Sequence, residues 1–260
     1  MKALLVFCSL LVLPIGSALA ADSPWIGTWK ADPAKSHVTG DTFEYSKGPG
    51  KLLHYSDGST ASYDFGIDGK EYKTWANRSA TWTATGKGSW DTESKIDGKV
   101  VSKGHRELSA DGKTLTISYS GTRPDGTPFN DRDVYTRVSG SDGLIGTWRS
   151  VKASFSGPME FINSSPAPGV LRQDIPDMKA YTEGPLDGKD HPVTGPTVPP
   201  SMTIAQTAVT PTQLSYVIKI GGKPDSIGTQ AIAADGRSFT DTSWNPGKES
   251  EKMIVVYVKQ

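Results

Sequence analysis

The side chains best suited to proton transfer or metal ligation are four histidines, at positions 37, 54, 105 and 191. Their spacing matches neither a His-x-x-x-His pair nor the His-Glu-x-x-His helix of a zinc site. No thiolate joins them, because the single cysteine is Cys8. Asn130-Asp131-Arg132-Asp133 gathers carboxylates, yet it lacks the longer Asp/Asn ladder of a calcium loop. There is no Gly-x-Ser-x-Gly nucleophile elbow, and Gly86-Lys87-Gly88 is too short to cradle a phosphate. The sequence therefore predicts no catalytic residue, no metal and no cofactor. Carboxylates of a hydrolase or isomerase in a barrel mouth need only meet in space, and nothing in the sequence selects such a pair.

Arg106 is the cation with the most suggestive place. Along Val100 to Leu108, alternation that turns Leu108 inward turns Ser102, Gly104 and Arg106 inward with it. A fixed guanidinium fork suits a carboxylate or another anion. Tyr45, Tyr55, Tyr63, Trp82, Trp90 and Tyr119 are candidate aromatic walls. The predicted ligand-binding set is Arg106, Ser102, Tyr63, Trp90 and Tyr119, and the predicted partner is a small apolar or amphipathic molecule. The plainer alternative keeps these aromatics as ordinary core and Arg106 in water. Filled barrels would then serve as a structural or protein-interaction module of the cell envelope. A third arrangement would put Trp75, Trp82 and Trp244 outside as a carbohydrate-stacking face.

The elements that must position these residues are strands. Asp-Gly occurs at 57, 68, 97, 111, 125, 142, 187 and 235, and this pair supplies the positive φ angles of tight hairpins. Between the turns, apolar and polar residues alternate, as in Ala61, Tyr63, Phe65 and Ile67 against Thr60, Ser62 and Asp64. No stretch has helical period. From Ser156 to Pro200 nine prolines predict loops and edge strands.

The chain also repeats. Trp25-Ile26-Gly27-Thr28-Trp29-Lys30 returns as Leu144-Ile145-Gly146-Thr147-Trp148-Arg149, and Ser109-Ala110-Asp111-Gly112-Lys113 as Ala233-Ala234-Asp235-Gly236-Arg237. The matches keep their order. They divide the chain into a leader, residues 1–20; a first unit, 21–138; a linker, 139–143; and a second unit, 144–260. Lys2, the apolar run to Leu13 and Ala18-Leu19-Ala20 read as a signal peptide. The address is therefore exported, periplasmic or secreted, with no membrane span. Equal numbers of basic and acidic residues, 28 each, argue against nucleic acid as a partner. The fold class follows: all-β, two tandem antiparallel up-and-down β-barrels, with a flattened barrel or sandwich, or one fused sheet, as alternatives.

Gly-Thr-Trp at the head of each unit resembles the Gly-x-Trp of the first strand in lipocalin-like (calycin) barrels. That family carries a basic residue on its last strand, packed across the indole. The resemblance implies barrel closure by Trp29 with Arg137 and by Trp148 with Lys259. The stretch Gly27 to Ser36 is also similar to the opening of a family of exported bacterial proteins of unknown function, as is Asp187-Gly188-Lys189-Asp190-His191-Pro192-Val193-Thr194-Gly195. This resemblance implies fold and address and carries no activity.

Overall fold

The computed structural model describes residues 23–154 and 157–260. The expected signal segment, with Cys8, lies outside the described residues. The first sequence unit supplies β1 (Gly27–Ala31), β2 (Thr42–Lys47), β3 (Leu53–Ser56), β4 (Ser62–Phe65), β5 (Glu71–Lys73), β6 (Arg78–Gly86), β7 (Ser89–Ile96), β8 (Lys99–Leu108), β9 (Thr114–Thr122) and β10 (Pro128–Arg137). The second supplies β11 (Gly146–Lys152), β12 (Glu160–Ser164), β13 (Val170–Ile175), β14 (Ala180–Pro185), β15 (Asp187–Thr194), β16 (Met202–Thr210), β17 (Gln213–Ile220), β18 (Lys223–Ile232), β19 (Ser238–Trp244) and β20 (Met253–Lys259). The chain is all-β, built as two ten-stranded antiparallel sheets. One is a closed barrel. The other is nearly closed, with β4 and β5 as its facing edges.

The first strands are exchanged. β1 leaves its own unit and pairs with β12 and β20, completing the closed barrel. β11 stays beside β10 and pairs with β2 in the other sheet. The cause is local. Residues 139–143, flexible in composition, form a tight turn and not a spacer. Val138 N–H donates to Thr147 O at 2.8 Å, and Ile145 N–H to Asp142 O at 2.9 Å. A hairpin this short keeps β11 against β10. Its slot is then filled, and β1, with nearly the same sequence, occupies the equivalent slot in the second barrel.

This crossing also corrects the indole–cation pairing. Lys259 lies over Trp29, and Arg137 over Trp148, so each cation covers the indole of the other unit. Both indoles are fully buried. Trp29 Nε1–H donates to Trp25 O at 2.9 Å, and Trp148 Nε1–H to Leu144 O at 2.8 Å. The glycine of each motif makes room for the cation. Gly27 has φ 129° and Gly146 φ 139°, and a Cβ at Gly27 would press on the Lys259 stem.

The Asp-Gly reading holds for backbone shape: the glycine has positive φ at all eight sites. One site differs in use. Asp68-Gly69 joins β4 to β5, which do not pair with each other, whereas Asp187-Gly188 centres the β14–β15 ladder of Tyr181 with Thr194 and Thr182 with Val193 and also begins a register shift against β16. The proline-rich region is also more regular than expected. β12 to β15 all lie within it, in a barrel without edges. Its prolines stand in connections, in the 3-10 turn Pro176–Met178, at the end of β14 and, as Pro192, within the irregular β15. Few of the ladder N–H groups are therefore lost.

Candidate functional site

A cavity of about 520 Å³ occupies the nearly closed barrel. Tyr55 from β3, Tyr63 from β4, Tyr119 from β9 and Tyr135 from β10 wall it, with Ser102, Gly104 and Arg106 from β8. Of the five predicted ligand-binding residues, Arg106, Ser102, Tyr63 and Tyr119 border it. Trp90 does not. It stands opposite Arg106 in the β7–β8 ladder but is packed in the core with Leu115 and Ile117. Trp82 is likewise core, at 2% exposure, and this removes it from any exposed stacking face. Trp75 and Trp244 border the cavity.

Arg106 is pinned from two sides. Its Nη1–H donates to Thr92 Oγ1 at 2.6 Å, and its guanidinium carbon is 4.2 Å from the Trp82 ring centroid. Its Nε–H is buried and meets no acceptor. An unmet buried donor of this kind costs roughly 1–3 kcal/mol. The phenols around it are dry: burial raises the pKa of Tyr45, Tyr55 and Tyr63 above the ordinary phenol value. They stay neutral and act as hydrogen-bonding walls. The buried Asp133 is held by Tyr119 Oη–H at 3.1 Å and Ser154 N–H at 2.7 Å.

Two paired positions explain why the cavity is in this barrel. Thr92 faces Gly104 across β7 and β8. At the equivalent place in the closed barrel, Tyr216 faces Gly228, and its ring lies where a Cβ on that glycine would be. Ser94 opposite Ser102 becomes Ile218 opposite Ser226. Small residues on the first floor leave space that the larger Tyr216 and Ile218 take up at the equivalent positions of the second. The second barrel also fills its interior with polar pairs. Gln206 Nε2–H donates to Gln173 Oε1 at 2.7 Å. Gln230 Nε2–H and Tyr216 Oη–H donate to Asp241 at 2.9 and 3.0 Å, and burial pushes the Asp241 carboxyl up to about 6.

The closed barrel covers the mouth of the cavity. Lys248, between β19 and β20, donates to Thr42 O at 2.6 Å and Asp57 O at 2.7 Å. Glu251 accepts from Thr42 N–H at 3.0 Å. Ser59 Oγ–H donates to Asp225 O at 2.7 Å. Burial, with Asp225 nearby, raises the Asp57 carboxyl above its ordinary value. These mouth residues carry no local signal in the sequence, because they are recruited by packing between the barrels.

Two Ser–His–Asp rows lie on the outer face of the same sheet. His54 Nδ1 is 2.7 Å from Asp64 Oδ1, with Ser62 Oγ 3.1 Å from Nε2. His105 Nδ1 is 2.6 Å from Asp91 Oδ1, with Ser89 Oγ 3.4 Å from Nε2. Alternation produces both: Ser and Asp sit two apart on one strand, and His stands opposite the Asp. The imidazoles and carboxylates are substantially exposed. β7, which carries Ser89, is laddered on both sides, so its backbone donors do not converge on an oxyanion position. Among the described residues no group of three or more His, Cys, Asp or Glu has metal-binding geometry, and no helix is long and apolar enough to cross a membrane.

Comparison with family models and with curated proteins finds no match for this chain. The functional reading rests on its own residues.

Proposed function

We propose that this is an exported, non-catalytic binding protein that holds one small apolar or amphipathic molecule in the nearly closed barrel. The observation that carries the proposal is the aromatic cavity of about 520 Å³, within the roughly 300–1,000 Å³ of ordinary small-molecule sites. Neutral tyrosines supply flat contact area and hydrogen bonds, and Arg106 supplies one fixed polar anchor. The lipocalin-like Gly-Thr-Trp resemblance agrees with such a role. The alternative of an envelope module with two filled barrels is less well supported, because only the second barrel has large residues across its floor.

The direct test is native mass spectrometry of the protein purified from its own source. A bound mass released on denaturation supports the proposal. An empty protein that also fails to bind N-phenyl-1-naphthylamine, an uncharged aromatic probe, overturns it.

A further inference from the structure

The cavity has an annex. A chamber of about 140 Å³ adjoins it and shares Tyr63, Trp75, Thr92, Ser94 and Arg106 with it. Its other wall carries Arg78, the first residue of β6. Arg78 and Arg106 are held in the same way. The Arg78 guanidinium lies 4.9 Å from the Trp75 ring centroid, as that of Arg106 lies over Trp82. Arg78 Nη2–H donates to Thr197 O at 3.1 Å, a neutral backbone acceptor. Its Nε–H, like that of Arg106, is buried with no acceptor.

Neither guanidinium is paired with a carboxylate among the described residues. The third cation of the chamber differs: Lys95 is bound by Glu71 at 2.6 Å. Two guanidinium groups in one small chamber repel each other, and burial pushes the Arg78 pKa down. Both residues are partly buried, their Nε–H groups are shut from water, and proteins rarely enclose charges without a partner. Trp faces and neutral acceptors fix both forks but do not balance their charge. The small hydroxyls of Thr92 and Ser94 add donors of the right reach.

We propose that the annex between Arg78 and Arg106 is an oxyanion receptor, and that the molecule held in the barrel is an organic anion. Its carboxylate, sulfonate or phosphate group enters the annex, and its apolar body lies among the tyrosines of the main cavity. The inference rests on the binding reading above and narrows it from amphipathic molecules to acidic ones. Planar forks stacked on indoles suit bidentate contact with such a group better than flexible lysines would.

The test compares two probes of nearly the same body: 1-anilinonaphthalene-8-sulfonate and its uncharged parent N-phenyl-1-naphthylamine. Each is titrated by fluorescence into the purified protein. The expected result is that the sulfonate binds at least about tenfold more tightly, as added charge-assisted hydrogen bonds require. Arg78→Gln, which leaves the main cavity wall intact, should abolish that preference and keep the affinity for the uncharged probe. Arg106→Gln should also lose sulfonate binding. Inorganic sulfate should compete with the sulfonate probe and not with the uncharged one. Equal affinity of the two probes for the unaltered protein would overturn the receptor and leave the binding reading standing. So would a preference that survives Arg78→Gln. Failure of both probes to bind would overturn the binding reading and the receptor with it. The comparison in the unaltered protein decides the matter even if a variant fails to fold.

Discussion

Lys259 holds its ammonium 4.9 Å from the centroid of the Trp29 ring, joining the last strand of the chain to the first. Trp29 opens one sequence unit and Lys259 closes the other, so the second barrel is complete only when β1 lies between β12 and β20.

A fragment spanning residues 144–260 therefore lacks the strand between β12 and β20, and it exposes two unpaired edges. Expressed alone, it should aggregate or exchange strands with a second copy. Adding a peptide of residues 23–36 should recover a monomer with β-sheet circular dichroism. A folded, monomeric 144–260 fragment without the peptide would refute the exchange.

Arg137 should matter more to stability than Lys259. It covers Trp148 and also donates to Gly112 O, Ile145 O and Gly143 O at 2.7, 2.6 and 2.6 Å. Lys259 makes one long bond, to Pro24 O at 3.4 Å. Arg137→Ala should cost about 2–3 kcal/mol in urea unfolding, and Lys259→Ala about 1 kcal/mol. Equal costs would contradict the hairpin's role in directing β11.

Asp241 gives stability a pH signature. Burial raises its pKa from 3.8 to about 6 in the folded chain. Between those values the folded state binds more protons than the unfolded state, so this carboxyl makes stability fall as pH rises from about 4 to 6. Asp241→Asn has no such proton to lose and should flatten that part of the profile. Thermal midpoints measured across pH 4–7 check this. An unchanged slope in the variant would place the carboxyl in a wetter setting.

The outward Ser–His–Asp rows should be chemically quiet. Ser62 and Ser89 have a histidine within reach, but Ser89 lies on a strand laddered on both sides, Ser62 lies on the edge strand β4 in a substantially exposed row, and a triad without converging oxyanion donors loses much of its power. Incubation with a fluorophosphonate should leave both serines unlabelled by peptide mass spectrometry. Labelling of Ser62 that His54→Ala abolishes would establish a nucleophile on this face.

Much of this was legible in short-range pattern. Asp-Gly pairs marked positive φ, and alternation along β8 placed Ser102, Gly104 and Arg106 on one face. Val100 shows where alternation fails. It shares their parity yet is 49% exposed, because the register shifts where Ser94 pairs with Ser102 and Lys95 with Val100. The strand exchange was hidden for another reason. β1 and β11 are near-copies, so hydrophobic pattern fits either into either slot, and only the length of the intervening turn decides. Trp90 lies in the core and not on the cavity wall, a distinction parity does not carry, because parity says which residues face inward. It does not say which inward residues meet packed neighbours and which meet space. The cover formed by Lys248 and Glu251 depends on how two barrels meet, which no local pattern records.

The most direct test of the account is to close the cavity with the other barrel's own residues. Thr92→Tyr with Ser94→Ile installs the side chains of Tyr216 and Ile218 over Gly104 and Ser102. The account predicts a folded protein whose affinity for N-phenyl-1-naphthylamine falls at least about tenfold by fluorescence titration. Undiminished binding in the folded variant would contradict the claim that this cavity is where the ligand sits.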